Sequence, residues 1–201
     1  DESNCPSTCE AGACLSIGNV DTDAGTLDIY MSNQPTCSYC ENWMYNNNTE
    51  NWHNTELPNG AIVEGQKQLC ENIDSGNSTW IVDVGMTEEE CGDVPDIFGQ
   101  GVPGAGNGGW WFDGNVSGFQ FYTSGANVTE VYGGTAGETF GTLLSTNSDC
   151  DGDGDNDEGC NMIMGFDVVG GLIAPSDESQ LLVTLAFEDF NGIGICFGGL
   201  G

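Results

Sequence analysis

Two stretches of this chain alternate apolar and polar residues with a period of two, and that alternation constrains the fold more than any other feature. In residues 26–31, Leu27, Ile29 and Met31 alternate with Asp28 and Tyr30; in residues 180–187, Leu181, Val183, Leu185 and Phe187 share one face. Successive strand residues point to opposite faces, so each run reads as a strand with one side buried. Further strand-length segments fall at 15–20, 80–84, 116–122, 128–132, 139–144 and 161–166, bounded by Gly, Asn or Asp. Within 116–122, Phe119 and Phe121 alternate against Gln120 and Tyr122. Asn191-Gly192 is a type I′ turn signal that predicts a hairpin from the 180–187 strand into 193–197. One short helix is expected at Thr87, whose hydroxyl and the following Glu90 make a capping box. Many short strands with little helical periodicity predict an all-β protein, a jelly-roll-type β-sandwich.

A chain of 201 residues fits one domain with a sizeable core. Residues 1–14 hold three cysteines and little apolar content, and read as an N-terminal strap. Residues 15–33 and 116–201 carry the sandwich core. Between them, 34–115 is an insertion rich in Cys, Trp and Asn, whose glycine loop at 99–109 leads into Trp110, Trp111 and Phe112.

Charge excludes some partners. Thirty-two acids stand against Lys67 alone, a formal charge of −31. Nucleic-acid affinity comes mainly from Lys and Arg neutralising phosphates, so nucleic acid is ruled out as a partner and anionic membranes are repelled. No apolar run approaches the length of a membrane span, and no signal peptide is visible at Asp1, so a mature secreted form is expected. Ten cysteines, an even number, fit five disulfides in an oxidising, extracellular setting.

The densest chemistry lies in residues 148–160, S-D-C-D-G-D-G-D-N-D-E-G-C, where Asp149, Asp151, Asp153, Asp155 and Asp157 occupy every second position. Counted from Asp149, the run supplies carboxylates at positions 1, 3 and 5 of an EF-hand loop, Gly154 at its sharp turn and Asp157 at position 9. Position 12 is Cys160 instead of a bidentate Glu. Hard oxygen ligands on a flexible turn suit Ca²⁺, which tolerates irregular coordination. The surviving half resembles dockerin and thrombospondin type 3 calcium loops. We expect calcium here, with a Cys150–Cys160 disulfide closing the loop; the bland alternative is a solvated acidic tip.

Other constellations are weaker. Cys37-x-x-Cys40 with His53 and Cys70 offers zinc ligand types, but thiols in an oxidising setting pair with each other. Gly99-Gln100-Gly101-Val102-Pro103-Gly104 matches a dinucleotide fingerprint only formally, since no strand precedes it and Pro103 stands where a helix would open. His53 is the single histidine and no serine sits in a nucleophile elbow, so no enzyme is expected. Trp43, Tyr45, Trp52, Trp110 and Trp111 suit either a core or a contact surface. Trp110 and Trp111 point to opposite faces if extended, so one of them is expected at an interface. Asn47, Asn77, Asn115 and Asn127 head N-x-S/T sequons in turn-rich segments, and N-linked glycans are expected there.

Three pieces of the chain carry a family likeness: C-L-S-I-G-N-V-D-T-D-A-G-T-L-D-I-Y-M-S-N (14–33), V-S-G-F-Q-F (116–121) and M-G-F-D-V-V-G-G-L-I-A-P (164–175) running into L-L-V-T-L-A-F. In order and character they resemble cohesin-like domains, secreted jelly-roll sandwiches related in fold to some carbohydrate-binding modules. The likeness covers about half the chain and departs from the family at the insertion and at the acidic loop. It implies the fold, while the functions it implies range over dockerin binding, sugar binding and structural roles. Together these readings lead us to expect an extracellular glycosylated structural protein that self-assembles into a filament or surface layer, stabilised by disulfides and calcium. The alternative is a module binding carbohydrate or a dockerin-like partner.

Overall fold

The computed structural model of the chain describes residues 8–10, 12–41, 67, 70, 79–94, 109–141, 143–149, 160–190, 192 and 194–198. Its elements, in order, are strands β1 (Thr8–Glu10), β2 (Ala13–Asp21), β3 (Thr26–Asn33), β4 (Thr36–Glu41) and β5 (Thr79–Asp83), helix α1 (Glu88–Gly92), and strands β6 (Trp110–Phe112), β7 (Gly118–Ser124) and β8 (Asn127–Tyr132). Helix α2 (Gly134–Phe140) and strands β9 (Leu144–Asn147), β10 (Cys160–Phe166), β11 (Ser176–Glu188) and β12 (Cys196–Phe197) follow. The chain divides into two units, one formed by Asp1–Cys9, Ala13–Asn33 and Asn115–Gly201, the other by Glu10–Gly12 and Gln34–Gly114.

The first unit holds two antiparallel sheets, ordered β1-β2-β3-β11-β8 and β12-β7-β10-β9, in a sandwich-like all-β arrangement. The period-two pattern does what it predicts on β3, where Leu27, Ile29, Met31 and Asn33 are buried while the residues between them are half-exposed. On β11 the register shifts between Leu181 and Val183, and the extra residue turns Leu182 inward beside Val183, Leu185 and Phe187. Burying each of these aliphatic side chains contributes about 1.5–3 kcal/mol. From the other sheet come Phe121 and Ile163. The rings of Phe140, Phe119, Phe121 and Phe197 follow one another at centroid distances of 6.1, 5.7 and 5.7 Å.

Three sequence expectations need correction. Residues 139–144 do not form one strand: Thr139 and Phe140 close α2, and the strand begins at Leu144. Ala136 and Phe140, four residues apart and both buried, lie on one helical face, a spacing that outweighs the β-branched Thr139. Nor does Asn191-Gly192 lead into a hairpin, because β12 pairs with β7. Both edges of β11 are already taken by β3 and β8, so it has no edge left for a returning strand. Val116, expected within a strand, instead makes an isolated bridge to Ile173.

The second unit contains a three-stranded sheet, β5-β4-β6, in the region that read as an irregular insertion. Its β4 carries Cys37 and Cys40, each tied by a disulfide, to Cys91 and Cys70 respectively. Thr87 caps α1 as expected: its hydroxyl accepts the Glu90 N–H, and the Glu90 carboxylate accepts the Thr87 N–H at 2.9 Å. These hydrogen bonds hold the Glu90 carboxyl below its ordinary range. Helix α1 delivers Cys91 to the disulfide. Gly109 packs against that bond: a Cβ there would stand 2.7 Å from Cys91 Sγ and 2.9 Å from Cys37 Sγ.

Candidate functional site

The acidic segment joins β9 to β10, two paired strands on which Asn147 stands opposite Met162. Asp149 is half-buried, and its backbone N–H donates to Asn147 Oδ1 at 3.1 Å, an Asx turn at the base of the segment. Asp151, Asp153, Asp155, Asp157 and Cys150 lie outside the described residues. Cys160, at the far base, is buried and disulfide-bonded. Among the described residues no group of three or more His, Cys, Asp or Glu forms a metal cluster.

The cysteines that offer zinc ligand types are oxidised, as the oxidising setting led us to expect. Cys37 and Cys40 bond to different partners, Cys91 and Cys70, and a disulfide sulfur has no thiolate to offer a metal. No described cysteine is free. His53, Trp43, Tyr45, Trp52 and the 99–104 glycine motif lie outside the described residues, as do Asn47 and Asn77. Asn115 is half-buried before the Val116 bridge, and Asn127 is exposed at the head of β8. Trp110 is 37% exposed on β6, while Trp111 beside it is half-buried.

Two arrangements escaped the sequence reading. The first is the turn after β10. Asp167 Oδ1 accepts the Val169 N–H at 3.2 Å and Oδ2 accepts the Gly171 N–H. The Gly171 bond is the largest influence holding the Asp167 carboxyl below its ordinary range. Position 171 has no room for a side chain, since a Cβ there would stand 2.7 Å from Asp167 Oδ2. The clasped turn presents Val168, 72% exposed, and Val169, 89% exposed, with Phe166 and Leu172 also exposed on either side. An aspartate followed by Val-Val-Gly-Gly was the available signal.

The second lies on the outward face of the larger sheet. Asp28 accepts hydrogen bonds from three side chains: Asn19 Nδ2 at 2.9 Å, the Tyr30 phenol at 3.3 Å and Thr184 Oγ1 at 2.8 Å. Asn19 Nδ2 also donates to the Tyr30 oxygen at 2.6 Å. Burial, and then the neighbouring Asp28 carboxylate, push the Tyr30 phenol up. The register of β2 shifts between Gly18 and Asp21, and Asn19 within that shift has φ 49, a left-handed conformation rare outside glycine.

Comparison with protein-family models, curated proteins and solved structures returned no match. The class therefore rests on the molecule alone: an all-β, disulfide-bonded protein of antiparallel sheets. No described helix is long and apolar enough to cross a membrane.

Proposed function

We propose that this chain is an extracellular, glycosylated, non-enzymatic structural protein that packs against copies of itself in a filament or surface layer, on a jelly-roll scaffold of cohesin-like kind. The observation that carries the reading is the clasped turn at Asp167, which projects Val168 and Val169 into solvent from a chain of formal charge −31. Apolar groups held out by a fixed backbone are characteristic of contact surfaces, and ordering them in advance lowers the entropy lost on docking. The disulfides of the second unit support an oxidising compartment.

Repulsion between such acidic copies has to be offset. Calcium at Asp149, Asp151, Asp153, Asp155 and Asp157 is the cation we assign to that role, and Trp110 and Trp111 are further candidates for the contact. Glycans at Asn47, Asn77, Asn115 and Asn127 complete the reading. The test is sedimentation velocity of the native chain with calcium and with a chelator. Large assemblies in calcium that shrink on chelation are expected; a monomer in both conditions would overturn the proposal.

A further inference from the structure

The smaller sheet differs from the larger one in charge. Its four strands, β7, β9, β10 and β12, hold no Asp, Glu or Lys, in a chain of 32 acids. Each of the five strands of the larger sheet carries at least one acid, Glu10, Asp21, Asp28, Glu130 and Glu178 among them. On the smaller sheet Phe121, Thr123, Asn161 and Ile163 are buried, so the residues between them face outward. Asn147, Met162 and Tyr122 stand in one directly paired row of that outward face, Ser145, Met164 and Gln120 in the next, and Phe166 opposite Gly118 in the last. Gln120, Ser145 and Asn147 are exposed, Phe166 is 43% exposed, and the two methionines and Tyr122 are half-buried. Absence of charge together with methionine and aromatic rings is the composition that marks the centre of protein interfaces.

We propose that this face pairs with the same face of a second copy about a two-fold axis, and that the resulting closed dimer is the smallest unit of the assembly. The inference rests on the self-association proposed above and names the contact that begins it. Charge selects the occupant. Copies of charge −31 repel wherever acids meet, and this is the sheet whose strands bring none together. The acids of the larger sheet stand one sheet-packing distance behind, about 10 Å, which exceeds the Debye length of about 8 Å at physiological ionic strength. The acidic segment leaves the face beyond Asn147, at one end; stacking the two sheets with their strands antiparallel sets the two acidic segments at opposite ends of the pair. Hydrogen bonding on the face is self-complementary as well. Gln120 Nε2 donates to the Tyr122 hydroxyl oxygen at 3.1 Å, which leaves the Gln120 carbonyl oxygen to accept and the Tyr122 O–H to donate. A two-fold contact requires each copy to offer both. Seven-residue strands at standard spacing make the face about 24 Å by 15 Å, near half of the roughly 800 Å² that each partner of a stable interface buries, so the pairing is reversible. Because such a contact closes on itself, growth beyond the dimer has to use other surfaces, such as Val168 and Val169 on the clasped turn.

The experiment is sedimentation equilibrium of the native chain in chelator at physiological ionic strength. A monomer–dimer equilibrium is expected, because an uncharged face needs no cation to meet its copy. Gln120→Glu with Ser145→Glu, two exposed positions on the face, should raise the dimer dissociation constant about tenfold or more. Gln120→Lys with Ser145→Lys should do the same although it lowers the net negative charge. Ser179→Glu with Gln180→Glu, exposed on β11 of the larger sheet, adds the same charge elsewhere and should leave the dimer intact. Thermal unfolding of each variant separates lost pairing from lost fold. A wild-type monomer in chelator overturns the proposal and leaves the face to a different partner. Unchanged pairing of the Gln120/Ser145 variants, or equal loss in the Ser179/Gln180 variant, overturns it too. The two readings fail separately: large assemblies in calcium that fall to monomers in chelator would sink the dimer alone, and a dimer that does not grow in calcium would sink the filament alone.

Discussion

The side chain of Asn161 on β10 accepts the backbone N–H of Val128 on β8 at 2.8 Å, tying a strand of one sheet to a strand of the other. Its amide nitrogen donates to the Ala126 carbonyl at 2.7 Å. Asn161 is 1% exposed, so one fully buried carboxamide satisfies two backbone groups that water does not reach. Asn161→Ala should leave both unpaired and destabilise the chain by about 2–4 kcal/mol. Urea unfolding should show a lower midpoint with an unchanged slope. Asn161→Asp should be destabilising too, because a carboxylate cannot donate to Ala126.

The Cys37–Cys91 disulfide closes a loop of sequence separation 54. By chain entropy, a loop of that length corresponds to about 4 kcal/mol of stabilisation. The double variant Cys37→Ala/Cys91→Ala should lose a large part of this, read as a drop in the unfolding midpoint. Gly109→Ala should act on the same bond by crowding both sulfurs. Peptide mapping under non-reducing conditions should then find scrambled pairing of Cys37 and Cys91.

The Asp167 clasp should depend on pH in a defined direction. Its carboxyl is held below the ordinary aspartate value of 3.8, first by the Gly171 N–H. A carboxyl depressed on folding contributes above its unfolded pKa, and that contribution is lost as pH falls through the folded pKa. The Val169 and Gly171 amides should therefore stay protected from exchange at pH 4.5 and lose protection well below 3.8. Asp167→Asn, with one acceptor oxygen in place of two, should free one of those amides at neutral pH. Two-dimensional NMR across a pH series reads both effects.

Metal-stripped chain titrated with Ca²⁺ in a calorimeter should show binding, because five alternating carboxylates repel one another until a cation neutralises them. Asp151→Asn with Asp153→Asn should weaken it at least tenfold, two charges being removed from one site. Absence of heat at millimolar calcium would retire the metal assignment.

Intact mass of native-source chain should fall after glycosidase treatment. Asn127→Gln should abolish one step of that change, since Asn127 is exposed at the head of its strand. Asn115 is half-buried and should be the less completely modified of the two.

Legibility followed local physics. Leu27, Ile29 and Met31 were readable because burial on one face of a strand writes itself as alternation, and the Thr87–Glu90 cap because its partners are three residues apart. The Ala136–Phe140 face of α2 went unread because two buried residues in a seven-residue helix barely establish a period. Strand β4 was hidden for another reason: Thr36, Cys37 and Ser38 are all buried, so a run buried on both faces shows no alternation. Partner choice was illegible at Asn191-Gly192, where a good turn signal says nothing about whether β11 has an edge to spare. The Asp28–Thr184 bond spans a sequence separation of 156, a distance over which no pattern in either segment names the other.

That separation also bears on how the molecule comes into being. Strand β3 lies inside its sheet, yet of its two neighbours only β2 is made beside it; β11 emerges when most of the intervening chain has already been synthesised. Until then the far edge of β3 offers unpaired backbone groups above the apolar row of Leu27, Ile29 and Met31. Closing so distant a contact is slow, because the entropy of a long loop is lost before any pairing offsets it. During that interval the nascent chain is at its most adhesive, and its acidity keeps unfinished copies apart.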